Sequence, residues 1–229
     1  MNYNEFIQNK KHSIGNFGFE CNYSPEIAFD FQKFIIEKAV RKGRIAIFAD
    51  TGLGKTLIQL SIAKNIINHT NKKVLILTPL AVAFQFILEA EKLGIDDIEY
   101  SKDGKHTKKI VICNYERLHY FDSNDFVGVI LDESSILKNF DGKIKSQVTS
   151  FVKKIPYRYL STATPSPNDF IELGTSSEAL GYMGYMDMLT KFFKNNQNSV
   201  DSTNKNIGEK FYLKPHAEKD FFAWVNQWS

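Results

Sequence analysis

Cysteine is almost missing from this chain: Cys21 and Cys113 are the only two in 229 residues. Two cysteines do not make a disulfide scaffold, and they lead us to expect a reduced, cytoplasmic protein. Arginine is also scarce, with Arg41, Arg44, Arg117 and Arg158 standing alone among 29 basic residues. Chemistry that needs a guanidinium therefore has few candidates. No apolar run approaches the roughly 18 residues that cross a bilayer, so no transmembrane helix is expected. Residues 1–5 hold no basic stretch leading into an apolar one, and no secretory signal is expected there. His12, His69, His106, His119 and His216 are scattered without metal-ligand spacing. The net charge of +3 is too small to argue for nucleic acid on charge alone.

What is present is globular material. Hydrophobic residues make up 43% and charged residues 24%, which excludes a disordered chain, and the length suits one or two domains. Short apolar runs at residues 45–48, 74–77, 110–113, 127–131 and 157–160 read as strands buried on both faces. Helical patterns at 56–68, 82–93 and 143–153 lie between several of them. This alternation predicts an α/β fold, a mostly parallel, doubly wound sheet with helices on both faces. In such sheets ligands bind beyond the carboxyl ends of the strands, so the residues after each strand are the ones to inspect.

The pattern over 25–42 predicts a further helix, capped by Ser24 with Pro25 in its first turn. Residues 195–206 are polar and lack periodicity, and they read as a loop. Phe221, Trp224, Val225 and Trp228 fall on one face of a terminal helix expected over 215–228. The expected organisation is an extension at 1–24, a nucleotide-binding lobe at 25–180 and a C-terminal extension at 181–229.

After the first strand comes Ala49-Asp50-Thr51-Gly52-Leu53-Gly54-Lys55-Thr56. Between a strand and a helix this is a phosphate loop. Glycines let the backbone N–H groups curl round an anion, and the helix adds the positive end of its dipole. Lys55 would neutralise the β- and γ-phosphates, and the Thr56 hydroxyl would ligate Mg²⁺. Ala49 stands where the strict pattern has glycine.

A second strand ends in Asp132-Glu133-Ser134-Ser135. Asp132 would hold Mg²⁺ through water, and Glu133 would orient or deprotonate an attacking water. A carboxylate that only caps the next helix is the plainer alternative. A third strand runs into Ser161-Thr162-Ala163-Thr164-Pro165. These hydroxyls suit sensing of the γ-phosphate, and they equally suit a turn punctuated by proline.

Taken in this order, the three motifs resemble the first motor lobe of a superfamily 2 helicase, a RecA-like P-loop NTPase lobe. Within it the chain is most similar to the Swi/Snf-like DNA translocases, through Lys138-Asn139 after the acidic box and Asn168, Glu172 and Leu173 after the third motif. The Asp-Glu-Ser-Ser box resembles that of phage- and prophage-borne helicases of DEAD/DEAH-box type. Usual members carry Ala-His or Ala-Asp where Ser134-Ser135 stand.

The resemblance implies ATP and Mg²⁺ as ligands and DNA, preferably duplex, as the track. It implies Lys55, Asp132 and Glu133 as catalytic residues. Gln32, Thr51, Gly52, Leu53, Gly54, Lys55 and Thr56 are implied to bind the nucleotide, with Gln32 reading the adenine edge. Thr56 and Asp132 are implied for Mg²⁺, and Ser135, Thr162, Ala163 and Thr164 for coupling. Thr78 and Pro79, in a stretch with Gln85 and Glu89, are implied to contact DNA. So are Asn114 and Tyr115, beside Glu116, and Lys138.

Such a motor holds ATP between two RecA-like lobes, and the second supplies arginines to the transferring phosphoryl group. The 64 residues that follow Pro165 contain no arginine. A second lobe is therefore expected outside this sequence. Two other readings stay open, a single-lobe module that holds ATP or DNA without turnover and a small-molecule kinase.

Overall fold

The apolar runs build one sheet, buried on both sides. The computed structural model describes residues 17–135, 142–166, 169–195 and 211–229. Strands β1 (Arg44–Phe48), β2 (Lys73–Thr78), β3 (Ile98–Tyr100), β4 (Ile110–Asn114), β5 (Phe126–Asp132) and β6 (Tyr157–Thr162) lie in the order β1-β6-β5-β2-β4-β3. Every adjacent pair is parallel. Successive side chains leave a strand on opposite faces, and here each face meets helices. Ile45, Ile47, Val74, Ile76, Ile112 and Ile130 pack under helices α1 (Asp30–Lys42), α2 (Lys55–Thr70) and α3 (Ala83–Lys92). Ala46, Leu75, Leu77, Val129, Leu131 and Leu160 pack on the other face. There they meet helices α4 (Gly142–Lys153), α5 (Leu173–Leu180), α6 (Tyr185–Phe192) and α7 (Glu218–Trp228). This is the doubly wound parallel sheet, with helices on both faces, that the alternation predicts.

Several boundaries differ from expectation. The helix expected from Pro25 begins at Asp30. The Ala28 N–H bonds the Pro25 carbonyl in a turn, and Gln32 Oε1 accepts the Phe29 N–H at 2.9 Å. The amide of Gln32, rather than Ser24, closes the helix start, as the glutamine half of a capping box does. Strand β3 is three residues long and half-buried, too short to show a period. Strands β7 (Phe193–Asn195) and β8 (Phe211–Leu213) form a small antiparallel pair that the sequence does not announce. Asn195, expected to open a loop, ends β7; the rest of that segment, 196–206, lies outside the described residues.

The terminal helix starts at Glu218, after a single 3₁₀ turn at Pro215–Ala217. Its apolar stripe is buried as the spacing predicts, with Phe221 and Trp228 at 0% exposure. Trp228 stands edge-on to Phe48 at 6.0 Å. Lys38 and Lys42 of α1 donate to the carbonyls of Ser229 and Gln227 at 2.8 and 2.9 Å, fastening the end of α7 to α1.

All four arginines are engaged away from the phosphate loop. Arg158, buried at the amino end of β6, donates to the carbonyls of Ile155, Lys153, Ala179 and Leu180. Burial, with Arg44 nearby, pushes its pKa down to about 10, so it keeps its charge at neutral pH. Arg44, its register partner on β1, donates to the Pro156 carbonyl and lies 4.0 Å from the centre of the Phe17 ring. Arg41 pairs with Glu37, and Arg117 donates to the Lys102 carbonyl. Cys21 and Cys113 are free thiols, and burial pushes Cys113 up to about 12. No helix among the described residues is long and apolar enough to cross a membrane.

Candidate nucleotide-binding site

The site forms along the carboxyl edge of β1, β6, β5 and β2. Beyond β1, Gly52 and Gly54 take φ of +80° and +72°, values closed to most side chains. Gly54 is the N-cap of α2, and its carbonyl accepts the first helical bond, from the Ile58 N–H. The amino end of α2 thus faces the loop, with Lys55 and Thr56 in its first turn and half-buried. Lys55 Nζ donates to the carbonyls of Ala49 and Asp50, both at 3.0 Å, which holds the ammonium over the loop. Asp50 Oδ1 accepts the Thr51 N–H at 2.7 Å and steadies the turn.

Gln32 reaches the loop from α1. Its Nε2 donates to the Leu53 carbonyl at 3.0 Å, and its side chain is 5% exposed. With Oε1 bound to Phe29, the amide keeps one N–H and one lone pair for a further partner.

Asp132 ends β5 and is gripped by two donors. Oδ1 accepts from Gln59 Nε2 at 2.7 Å, and Oδ2 accepts from the Thr78 hydroxyl at 3.0 Å. Burial raises its pKa despite both bonds, and Glu133 raises it further while Lys55 works the other way. Glu133 has φ of +48°, a left-handed conformation rare for a side chain of its size. Its Oε1 accepts from Ser135 Oγ at 2.6 Å and from Thr162 Oγ1 at 2.8 Å. Thr162 also accepts the Thr164 N–H at 3.0 Å, and its carbonyl accepts the Ala49 N–H at 3.2 Å. One chain of hydrogen bonds therefore links phosphate loop, third motif and acidic pair. Ala163 is half-buried, and Thr164 is exposed.

The other expected contacts sit further along the same edge. Thr78 and Asn114 end the paired strands β2 and β4 in register. Pro79 opens the 3₁₀ turn that leads into α3, where Gln85 is exposed and Glu89 pairs with Lys92. Asn114 is tied down, donating to Glu116 at 2.5 Å and accepting from the Tyr100 hydroxyl at 3.1 Å. Tyr115 differs from the expected surface contact. Its 3₁₀ turn directs the ring into the core at 2% exposure, so the side chain faces away from solvent. Its hydroxyl donates to the Asp132 carbonyl at 2.7 Å, and burial, then Asp132 and Glu133, hold its pKa well above the usual tyrosine value. Lys138 lies outside the described residues.

Sequence reasoning missed Gln59 and the Tyr115 hydroxyl. Gln59 is a fully buried amide in a helix buried on most of its sides, and it stands four residues after Lys55, on the same face. Its Oε1, like Ser161 Oγ across the strand pair from Asp132, is buried with no partner among the described residues. The Thr56 hydroxyl and the Asp132 carboxylate are hard oxygen donors of the kind that Mg²⁺ takes.

The model of the DEAD/DEAH box helicase family matches residues 29–172. No curated protein sequence matches the chain. Among solved structures, the Sulfolobus solfataricus SWI2/SNF2 ATPase core in complex with dsDNA is similar at 17% identity and a TM-score of 0.62, covering 94% of this chain and 46% of that one. The UvsW helicase from bacteriophage T4 is similar at 16% identity and a TM-score of 0.55, covering 76% of this chain and 65% of that one. The Pyrococcus furiosus Hef helicase domain is similar at 19% identity and 0.54, covering 66% and 36%. At these identities the likeness concerns the fold. The chain spans less than two thirds of the length of each.

Proposed function

Because the chain belongs to the DEAD/DEAH box helicase family, we propose that it is the ATP-binding motor lobe of a DNA-dependent ATPase, a helicase or duplex translocase of the phage-borne type. The observation that carries this reading is the bond chain from Ala49 through Thr162 to Glu133. It ties the loop that would hold the phosphates to the carboxylate that would act on the attacking water.

In this reading the loop N–H groups and Lys55 bind the β- and γ-phosphates, and Gln32 meets the adenine edge. Glu133 orients and deprotonates water, steadied by Ser135 and Thr162. Thr56 and Asp132 would hold Mg²⁺, which when bound supplies positive charge to the phosphate oxygens. Thr162, Ala163 and Thr164 pass the state of the γ-phosphate to the rest of the lobe. The turns that leave β2 at Thr78-Pro79 and β4 at Asn114-Tyr115 would meet the DNA through their backbone, which suits phosphate contact without reading bases, and Lys138 would add a further contact. The dsDNA bound by the Sulfolobus relative supports a duplex track.

Every arginine of the chain has structural partners, and Arg44 and Arg158 sit at the amino ends of their strands, opposite the phosphate loop. Full turnover in this reading draws its arginine from a second RecA-like lobe. The same observation favours a second reading, in which the chain holds nucleotide without turnover. Both are tested by ATP binding and hydrolysis measured with and without duplex DNA and an added second lobe. Lys55→Ala is expected to abolish nucleotide binding. Hydrolysis that DNA never stimulates, or an inert Lys55→Ala, sinks the motor reading. Binding with no hydrolysis under any condition selects the second.

A further inference from the structure

Three elements converge on Asp132, and two of them are strand ends of the proposed DNA-facing edge. Thr78 ends β2 and donates to the side chain of Asp132. Tyr115 follows β4, which is separated from β5 by β2, yet its hydroxyl crosses the end of β2 to the Asp132 carbonyl at 2.7 Å. That carbonyl belongs to the peptide joining Asp132 to Glu133. The same peptide leads into the left-handed φ of +48° at Glu133. The far end of Glu133 is held by Ser135 and Thr162. Rotating this peptide plane changes the φ of Glu133 and so re-aims its carboxylate. Tyr115 grips the plane from outside the nucleotide site.

The segment that carries Tyr115 is stiff. Asn114 is bonded to both Tyr100 and Glu116, so a load on this turn moves it as a unit. The ring packs in the same core as Leu118 and Leu131, which transmits displacement rather than absorbing it. We infer that Tyr115 is a positioning residue that couples nucleic-acid contact at the end of β4 to the Asp132–Glu133 peptide, and that its phenolic hydroxyl is the link. The inference rests on the function proposed above and adds a route between its two ligands. Contiguity of this kind becomes coupling only when both ligands bias the same element, and that is measurable.

The test is reciprocal binding. Affinity for a non-hydrolysable ATP analogue with Mg²⁺ is measured on the full chain with and without saturating mixed-sequence duplex DNA. Wild type is expected to show a change of at least about fivefold, the lower end of ordinary coupling. Tyr115→Phe keeps the ring and removes only the hydroxyl, and it is expected to bring that ratio close to one. A merely structural hydroxyl would shift affinity with and without DNA alike and leave the ratio where it was. A ratio that persists in Tyr115→Phe overturns the inference, as does a wild type whose nucleotide affinity ignores DNA. Failure of the underlying reading shows separately, as Lys55→Ala binding the analogue like wild type.

Discussion

The hydroxyl of Thr162 donates to Glu133 at 2.8 Å while the carbonyl of the same residue accepts the Ala49 N–H, so one threonine joins the acidic pair to the phosphate loop. Thr162→Val keeps the shape and the bond from the Ala49 N–H, and it deletes the hydroxyl with its bonds to Glu133 and the exposed Thr164 N–H. Glu133 then retains Ser135 alone. Loss of one hydrogen bond to a charged group costs about 1.5 kcal/mol, which corresponds to about tenfold in rate. Steady-state kinetics are expected to show that fall in kcat with the KM for ATP little changed. A kcat equal to wild type would show that Thr162 does not orient Glu133.

Asp132 gives a prediction about stability and its pH dependence. Burial raises its carboxyl pKa, so the folded protein holds that proton more tightly than the unfolded chain. The stability it contributes is present below the ordinary value of 3.8 and is lost as pH rises through the raised value. At neutral pH the ionised group is therefore a net cost in the ligand-free lobe. Asp132→Asn removes the charge and can keep both bonds, because the Thr78 hydroxyl can accept as well as donate. Thermal unfolding at pH 7 is expected to shift upward, by about 2–4 °C for each kcal/mol relieved in a chain of this size. Added Mg²⁺ and nucleotide should then stabilise wild type more than the variant. A midpoint below wild type would contradict the argument.

Two glycines of the loop separate strain from crowding. Both have positive φ, so alanine at either costs about 1–2 kcal/mol in backbone strain. A Cβ at Gly52 meets nothing within 4 Å, whereas one at Gly54 comes within 2.3 Å of Gln32 Nε2. Gly54→Ala must therefore also push Gln32 off the Leu53 carbonyl. Titration with an ATP analogue is expected to show a loss several-fold larger for Gly54→Ala than for Gly52→Ala. Equal losses would mean that Gln32 plays no part in holding the nucleotide.

Much of this site is legible in one dimension because its pieces are local. The strand, the glycine turn and the helix that follows are contiguous from Arg44 to Thr70, and the acidic pair directly ends an apolar run. What escapes is tertiary. Gln59 acts on a residue 73 positions away, and Tyr115 is read as a surface contact until the 3₁₀ turn shows it facing inward. Strands β3, β7 and β8 have three residues each, too few to reveal a period, and α5 and α6 have eight each, barely two turns. The false start at Pro25 has a similar cause, since proline suits a turn as well as a first helical turn, and the side chain of Gln32 decides between them.

Arg158 is one of only four arginines, and its scarcity invites a catalytic reading that the structure redirects. Its guanidinium satisfies the carbonyls of Lys153, Ile155, Ala179 and Leu180 and so binds the start of β6 to the ends of α4 and α5. Arg158→Met keeps much of the volume and leaves those carbonyls unpaired. An orphaned buried acceptor costs about 1–3 kcal/mol, and partial rehydration leaves an expected total of about 3 kcal/mol. The thermal midpoint should fall by about 6–12 °C. Affinity for nucleotide, measured well below that midpoint, should stay within about twofold of wild type, a margin of about 0.4 kcal/mol. The residue stands at the opposite end of its strand from Thr162. An intact midpoint with lost nucleotide binding would instead place Arg158 in the chemistry and return a guanidinium to this lobe.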